Sequence, residues 1–164
     1  MILDLSPIVN NEGKKLNLEF ELDLNSADSD ICFKTPVFLT GTLLNIGGSL
    51  ELSAKVSTVL ECICDRCLEN FDKPLECSIL EVLKKEDAVQ TDENPDAIYF
   101  QGNSIELDEI VLNDIILSLP IKCVCSDDCK GLCPSCGQNL NVGKCSCDTR
   151  TSDPRFDALD KFFE

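Results

Sequence analysis

From Lys15 to Leu24 apolar and polar positions alternate without a slip. Leu16, Leu18, Phe20, Leu22 and Leu24 fall on one side, and Asn17, Glu19, Glu21 and Asp23 on the other. Side chains of a strand point to opposite faces in turn, so this run predicts a half-buried β-strand. NSADSD (25–30) is turn-forming. PVFLTGTLLNI (36–46) is rich in β-formers and ends at Gly47–Gly48. Residues 49–64 then alternate again, with Leu50, Leu52, Ala54, Val56, Leu60, Cys62 and Cys64 on one face. Two such runs about a Gly-Gly pair predict a hairpin. Pro74–Leu83 predicts a further strand with Leu75, Cys77 and Ile79 on one side, and AIYF (97–100) a short one before a Gly-Asn turn.

The period changes at ELDEIVLNDIILSLP (106–120). Ile110, Val111, Ile115 and Leu119 share one helical face, and Leu112 and Ile116 widen it. Asp108 is the expected cap and Pro120 the expected stop. KKEDAVQTDENPDA (84–97) is polar and acidic and predicts a solvated loop. In the tail, Phe156, Leu159, Phe162 and Phe163 recur at helical spacing, as expected of a helix docked on its own domain. The expected fold class is α+β. It comprises an antiparallel, curled or barrel-like sheet over 15–101, one packed helix, and a C-terminal zinc-ribbon-like module. The expected domains are a β-rich domain with its helix (1–120), a cysteine-rich zinc-binding module (121–150) and a helical tail (151–164).

A length of 164 residues with 43% hydrophobic content supports one core with a small appendage. No Trp and one Tyr make that core aliphatic, with eight Phe in support. MILDLSPIVNNEG has neither a basic lead nor a long apolar run, so it predicts no signal peptide or membrane anchor, and the expected location is the cytoplasm. Thirty acidic residues face fourteen basic ones, for a formal charge of −16. Nucleic-acid backbones are bound by clustered Lys and Arg, and the cations here are scattered. Direct nonspecific nucleic-acid binding is therefore not expected. A basic protein partner suits the charge, because opposite fields speed and select encounters.

Twelve cysteines in a reducing compartment point to metal ligands or small buried residues rather than to a disulfide framework. The strongest spacing is Cys133-x2-Cys136 followed by Cys145-x-Cys147. Zn2+ takes four soft ligands in a tetrahedron, and the CPSCG turn suits two of them: Pro134 sets the bend, and Gly137 is free to take positive φ. Cys64-x2-Cys67 is a second candidate pair, with Arg66 placed to offset thiolate charge. Cys125-x3-Cys129 is the pair that can complete it. Two sites of four, or one site with exchanged members, both fit the spacing. In formal charge, each filled tetrathiolate site adds four negative charges and two positive, so one site takes −16 to −18. Cys32, Cys62 and Cys77 lie on strand patterns and read as small buried hydrophobes, while Cys123 is unassigned. An all-cysteine set is closed and structural rather than catalytic. With no His, no neutral-pH base, Cys–His pair or Ser–His–Asp set can be drawn, and no enzyme is expected. A thiol redox or iron–sulfur protein stays open as an alternative.

Four segments in series resemble the YceD family, known as large ribosomal RNA subunit accumulation proteins: CDRCLENF (64–71), ELDEIVLNDIILSLP (106–120), CSDDCKGLCPSCGQNLNVGKCSC (125–147) and DPRFDALDKF (153–162). The resemblance implies a non-enzymatic role in ribosome biogenesis that supports accumulation of large-subunit ribosomal RNA. It brings no catalytic residue and no assigned partner-binding residue. The family-typical positions are Cys64, Arg66, Cys67, Phe71, the helix from Asp108 to Leu119, and the cysteines from Cys125 to Cys147. Joined to the charge, it implies a basic ribosomal protein or assembly factor as partner. The alternative from another class is a zinc-dependent protein-interaction adaptor in a different cytosolic complex.

Overall fold

Two long alternating runs joined by two glycines leave little choice of pairing. In the computed structural model, which describes residues 1–25, 31–86 and 96–147, they form the predicted hairpin. β4 (Val37–Ile46) and β5 (Ser49–Ile63) pair antiparallel with Ile46 opposite Ser49, so Gly47–Gly48 is a two-residue turn. β2 (Lys15–Leu22) lies antiparallel on β4, from Lys15 opposite Leu44 to Leu22 opposite Val37. The short β3 (Cys32–Phe33) takes up the far end of β5, where Phe33 faces Leu60.

The third predicted strand is longer than Pro74–Leu83. β6 runs Asn70–Lys85 beside β5, so Lys84 and Lys85 belong to it rather than to the loop. Residues 87–95 of that predicted loop lie outside the described residues, as does the predicted tail helix.

Two expectations about the sheet are corrected. β7 (Ile98–Phe100) pairs with β6 in parallel, which makes the sheet mixed. The path β2-β4-β5-β6-β7 is open, and among the described residues its end strands do not meet, so it is not a barrel. Closure needs a last strand long enough to reach the first, and β7 has three residues.

The strand faces pointing inward carry Leu18 and Leu22, Leu39 and Leu43, Leu50, Leu52, Val56 and Leu60, and Leu75, Ile79 and Leu83. The one long helix among the described residues, α2 (Leu107–Ser118), adds Leu107, Ile110, Val111 and Ile115 to that cluster. Leu112 is half-buried, whereas Ile116 is exposed, so the apolar face is narrower than expected. Glu106, not Asp108, occupies the N-cap position, and Asp108 lies in the first turn, where a negative charge suits the helix dipole. The core is aliphatic, with Phe33 and Phe100 its buried aromatic residues.

Two elements carried no clear periodic signal. β1 (Ile2–Asp4) pairs with β8 (Ser104–Glu106), and the short helix α1 (Ser6–Val9) buries Ile8. Buried Asn45 holds α1 in place: its Nδ2 donates to the carbonyls of Ile8 (2.7 Å) and Val9 (3.0 Å), and its Oδ1 accepts from Gly48 N–H (3.1 Å).

The chain divides into two compact units. One comprises Met1–Cys62 with Asp72–Ile121. The other joins, among the described residues, Ile63–Phe71 to residues 122–147. No described helix is long and apolar enough to cross a membrane.

Two cysteine quartets as candidate metal centres

The second unit is built on two copies of one local fold. In the first, Cys64 N–H donates to Glu69 C=O (2.9 Å) and Leu68 N–H to Cys64 C=O (2.9 Å). In the second, Cys133 N–H donates to Gln138 C=O (2.9 Å) and Gly137 N–H to Cys133 C=O (2.9 Å). The offsets are the same, so each C-x2-C pair sits in an equivalent turn. The residue after the second cysteine takes positive φ in both, +73° at Gly137 as its sequence context predicts, and +60° at Leu68. A leucine there carries strain that a glycine does not.

Residues 123–132 close the first turn. Asp65 N–H donates to Cys123 C=O (2.8 Å), and Cys123 N–H returns to Asp65 Oδ2 (2.7 Å). Leu132 N–H donates to Arg66 C=O (3.0 Å). At Gly131 any Cβ would come within 2.9 Å of that same carbonyl oxygen, so the approach demands glycine. The Arg66 guanidinium makes its hydrogen bonds to main-chain carbonyls. Its Nη1 donates to the carbonyls of Asp127 (2.9 Å) and Cys129 (3.0 Å), tying the loop to the turn.

The result is two quartets of sulfurs, Cys64, Cys67, Cys125 and Cys129 in one, and Cys133, Cys136, Cys145 and Cys147 in the other. Within each, the sulfurs lie within 4.8 Å of one another. Cys64 and Cys129 Sγ are 3.8 Å apart, as are Cys67 and Cys125 Sγ. A disulfide would bring them to about 2.05 Å. A tetrahedron with metal–sulfur bonds of about 2.3 Å has edges of about 3.8 Å, so the spacing fits a single ion. The two cysteine clusters can therefore hold metal. Cys64, Cys67, Cys129 and Cys133 are buried, with Phe71 and Val124 packed on the first three.

The electrostatics suit thiolates. Burial pushes the Cys64 thiol up, but N–H groups of Cys125, Cys67 and Arg66 outweigh it and hold it down at about 6. The Cys125 N–H lies 3.4 Å from that sulfur. Hydrogen bonds from the backbone of Cys136 and Ser135 hold Cys133 at about 6 in the same way. The Asn141 side-chain amide, 3.3 Å from Cys129 Sγ, lowers Cys129. Cys67, Cys125, Cys145 and Cys147 are raised instead. Cys125 is pushed up to about 12 by its neighbour Cys129, and Cys147 to about 12 by Cys136. A metal ion bound here would replace the protons that these sulfurs share.

Cys123 stands outside both quartets, as do Cys32, Cys62 and Cys77. Cys62 and Cys77 are half-buried against the core, in line with small hydrophobes. Cys32 is exposed and is not a core residue. None of the twelve cysteines is in a disulfide. Sequence reasoning overlooked Asn141 and Leu68. Leu68 was discoverable, because it holds the position that Gly137 holds in the other copy.

The family described as large ribosomal RNA subunit accumulation protein YceD matches residues 52–163. Uncharacterized proteins of Mycobacterium bovis and Mycobacterium tuberculosis are 28% identical over 109 residues, covering 57% of this chain and 53% of theirs. The large ribosomal RNA subunit accumulation protein YCED homolog 1, chloroplastic, of Arabidopsis thaliana is 24% identical over 154 residues, 76% of this chain and 48% of its own. The protein of the same name from Zea mays is 28% identical over 147 residues, 71% of this chain and 50% of its own. The chain spans about half the length of these curated relatives. No solved structure matches it.

Proposed function

Because the chain belongs to the YceD family of large ribosomal RNA subunit accumulation proteins, we propose that it is a ribosome biogenesis factor without enzymatic activity. In this reading it supports accumulation of large-subunit ribosomal RNA in the cytoplasm. The observation that carries the reading is the extent of the family match, residues 52–163, which takes in β6, α2 and both cysteine quartets. The named relatives are accumulation factors by title.

The metal in this reading is zinc, structural in both quartets. Four closely spaced sulfurs with no vacant position and no carboxylate or imidazole among them suit a closed tetrahedral site. A cubane iron–sulfur cluster places its four thiolates on four different irons, and so further apart than around one ion. Filled, the two sites take the formal charge from −16 to about −20.

That charge sets the mode of action. A chain so acidic repels phosphate backbones, whereas a basic protein face attracts it. It binds a basic ribosomal protein or assembly factor and shields it until RNA takes its place. Two measurements test this. Loss of the protein lowers large-subunit RNA relative to small-subunit RNA. Capture from lysate retains a basic protein partner after nuclease treatment; retention only with intact RNA contradicts the proposed contact.

A further inference from the structure

The two quartets lie in one unit and are four residues apart at their nearest members, Cys129 and Cys133. One residue links them through the chain. Asn141 lies on the loop between Cys136 and Cys145 of the second quartet, yet its amide serves the first. Its Oδ1 accepts from Lys130 N–H (2.8 Å), and its Nδ2 donates to Cys129 Sγ (3.3 Å). The accepted main-chain N–H fixes which end of the amide is oxygen, so the N–H donor is the end that faces sulfur.

The loop that presents Asn141 is itself held in place. Asn141 N–H donates to Asn139 Oδ1 (2.9 Å), Val142 N–H to Asn139 C=O (3.2 Å) and Leu140 N–H to Gly131 C=O (2.9 Å). Leu132 and Asn139 form a β-bridge at its base. Both ends of the loop run into second-quartet cysteines, Cys136 before it and Cys145 after it.

From this we infer that Asn141 is a positioning residue that couples metal binding at the two quartets. The inference rests on the reading of both quartets as metal sites. An ion at Cys133, Cys136, Cys145 and Cys147 pins both ends of the loop and holds Asn141 over Cys129. The amide N–H then stabilises the Cys129 thiolate as a ligand of the first ion, as outer hydrogen bonds do at metal sites. Coupling between binding equilibria is reciprocal, so the first ion strengthens the second by the same factor. The two sites therefore load as a pair rather than independently.

The test uses the full chain loaded with Co2+, whose thiolate absorption counts the filled sites, and a competing chelator that removes the ions; variants with one quartet disabled isolate the other. Cys133→Ser with Cys136→Ser disables the second quartet and is expected to weaken the ion in the first by about tenfold to a hundredfold, the usual range for a lost outer-shell hydrogen bond. Asn141→Ala should weaken it to a similar degree, and in that background disabling the second quartet should add nothing. Asn141→Asp keeps the acceptor for Lys130 N–H and replaces the donor with a charge. It should weaken the first ion while the second quartet still fills, which separates lost coupling from a collapsed loop. A parent chain that takes up fewer than two ions fails the two-site reading. A parent chain with two ions, whose first is held equally tightly in all variants, keeps that reading and overturns the coupling.

Discussion

Cys64 Sγ and Cys129 Sγ stand 3.8 Å apart although 65 positions separate them in the chain. Cys64 follows the end of β5, and Cys129 lies beyond α2. Closing so long a loop costs chain entropy. Chelation of an ion by the quartet would offset that cost, since structural zinc in small domains contributes on the order of 10 kcal/mol at neutral pH. Chelator is thus expected to loosen residues 63–71 and 122–147 before the leucine-rich core over β2–β6.

Leu68 and Gly137 occupy equivalent places with φ near +60° and +73°. The left-handed conformation costs a non-glycine residue about 1–2 kcal/mol, and the Leu68 side chain is largely exposed, so little packing opposes its removal. Leu68→Gly should leave stability unchanged or raise it by up to about 1 kcal/mol, given the entropy glycine adds to the unfolded chain. Gly137→Leu should lower it by about 1–2 kcal/mol. Denaturant unfolding of the metal-loaded protein reads both.

Metal uptake should release protons. At pH 7 without metal, Cys64 and Cys133, each held at about 6, have already lost theirs, while Cys125 and Cys147, at about 12, have not. Each site should therefore release fewer than four protons at pH 7. As pH falls through about 6, Cys64 and Cys133 become protonated too. Release per ion then rises and affinity falls more steeply. Calorimetry in buffers of different ionisation enthalpy measures the count. Release that does not change between pH 8 and pH 5 contradicts this ordering.

Asp114 is a half-buried weak point on α2. Its Oδ2 is buried without a hydrogen-bond partner, and burial raises its pKa. Glu81 is raised by burial, with Asp114 and Asp96 adding to the effect. A carboxyl whose folded pKa lies above its unfolded value stabilises the fold only while protonated. That stability is present at low pH and lost as pH rises through the folded value. Asp114→Asn should accordingly be more stable than the parent at pH 7, with the gap shrinking toward pH 4. Thermal unfolding across that range checks it.

The sheet was largely legible because its strands repeat at period two. Leu50, Leu52, Val56 and Leu60 all point into the core, and Gly47–Gly48 set the register of β4 against β5. Helix α2 was equally plain from Ile110, Val111 and Ile115. β7 was visible as a strand but not as a parallel one, since three residues carry no information about direction. β1 and α1 are held by partners far along the chain, β8 and Asn45, and such pairing leaves no local period. The quartets show the same division. Spacing joined Cys64 to Cys67 and Cys133 to Cys136 and offered Cys125 and Cys129 to complete the first set, but it left open an exchange of members between sites, and only the folded chain sorts the eight sulfurs into these two quartets. Asn141 was hidden because its partner is a sulfur twelve positions away.

The central claim is that eight of the twelve cysteines act as two structural clamps. Elemental analysis with a thiol count, on protein purified under reducing conditions without chelator, tests it most directly. Two zinc ions per chain are expected, with the eight quartet thiols protected from a thiol reagent until the metal is removed, and only Cys32, Cys62, Cys77 and Cys123 outside that protected set. A chain that carries no metal, exposes all its thiols at once and keeps residues 122–147 folded would contradict it.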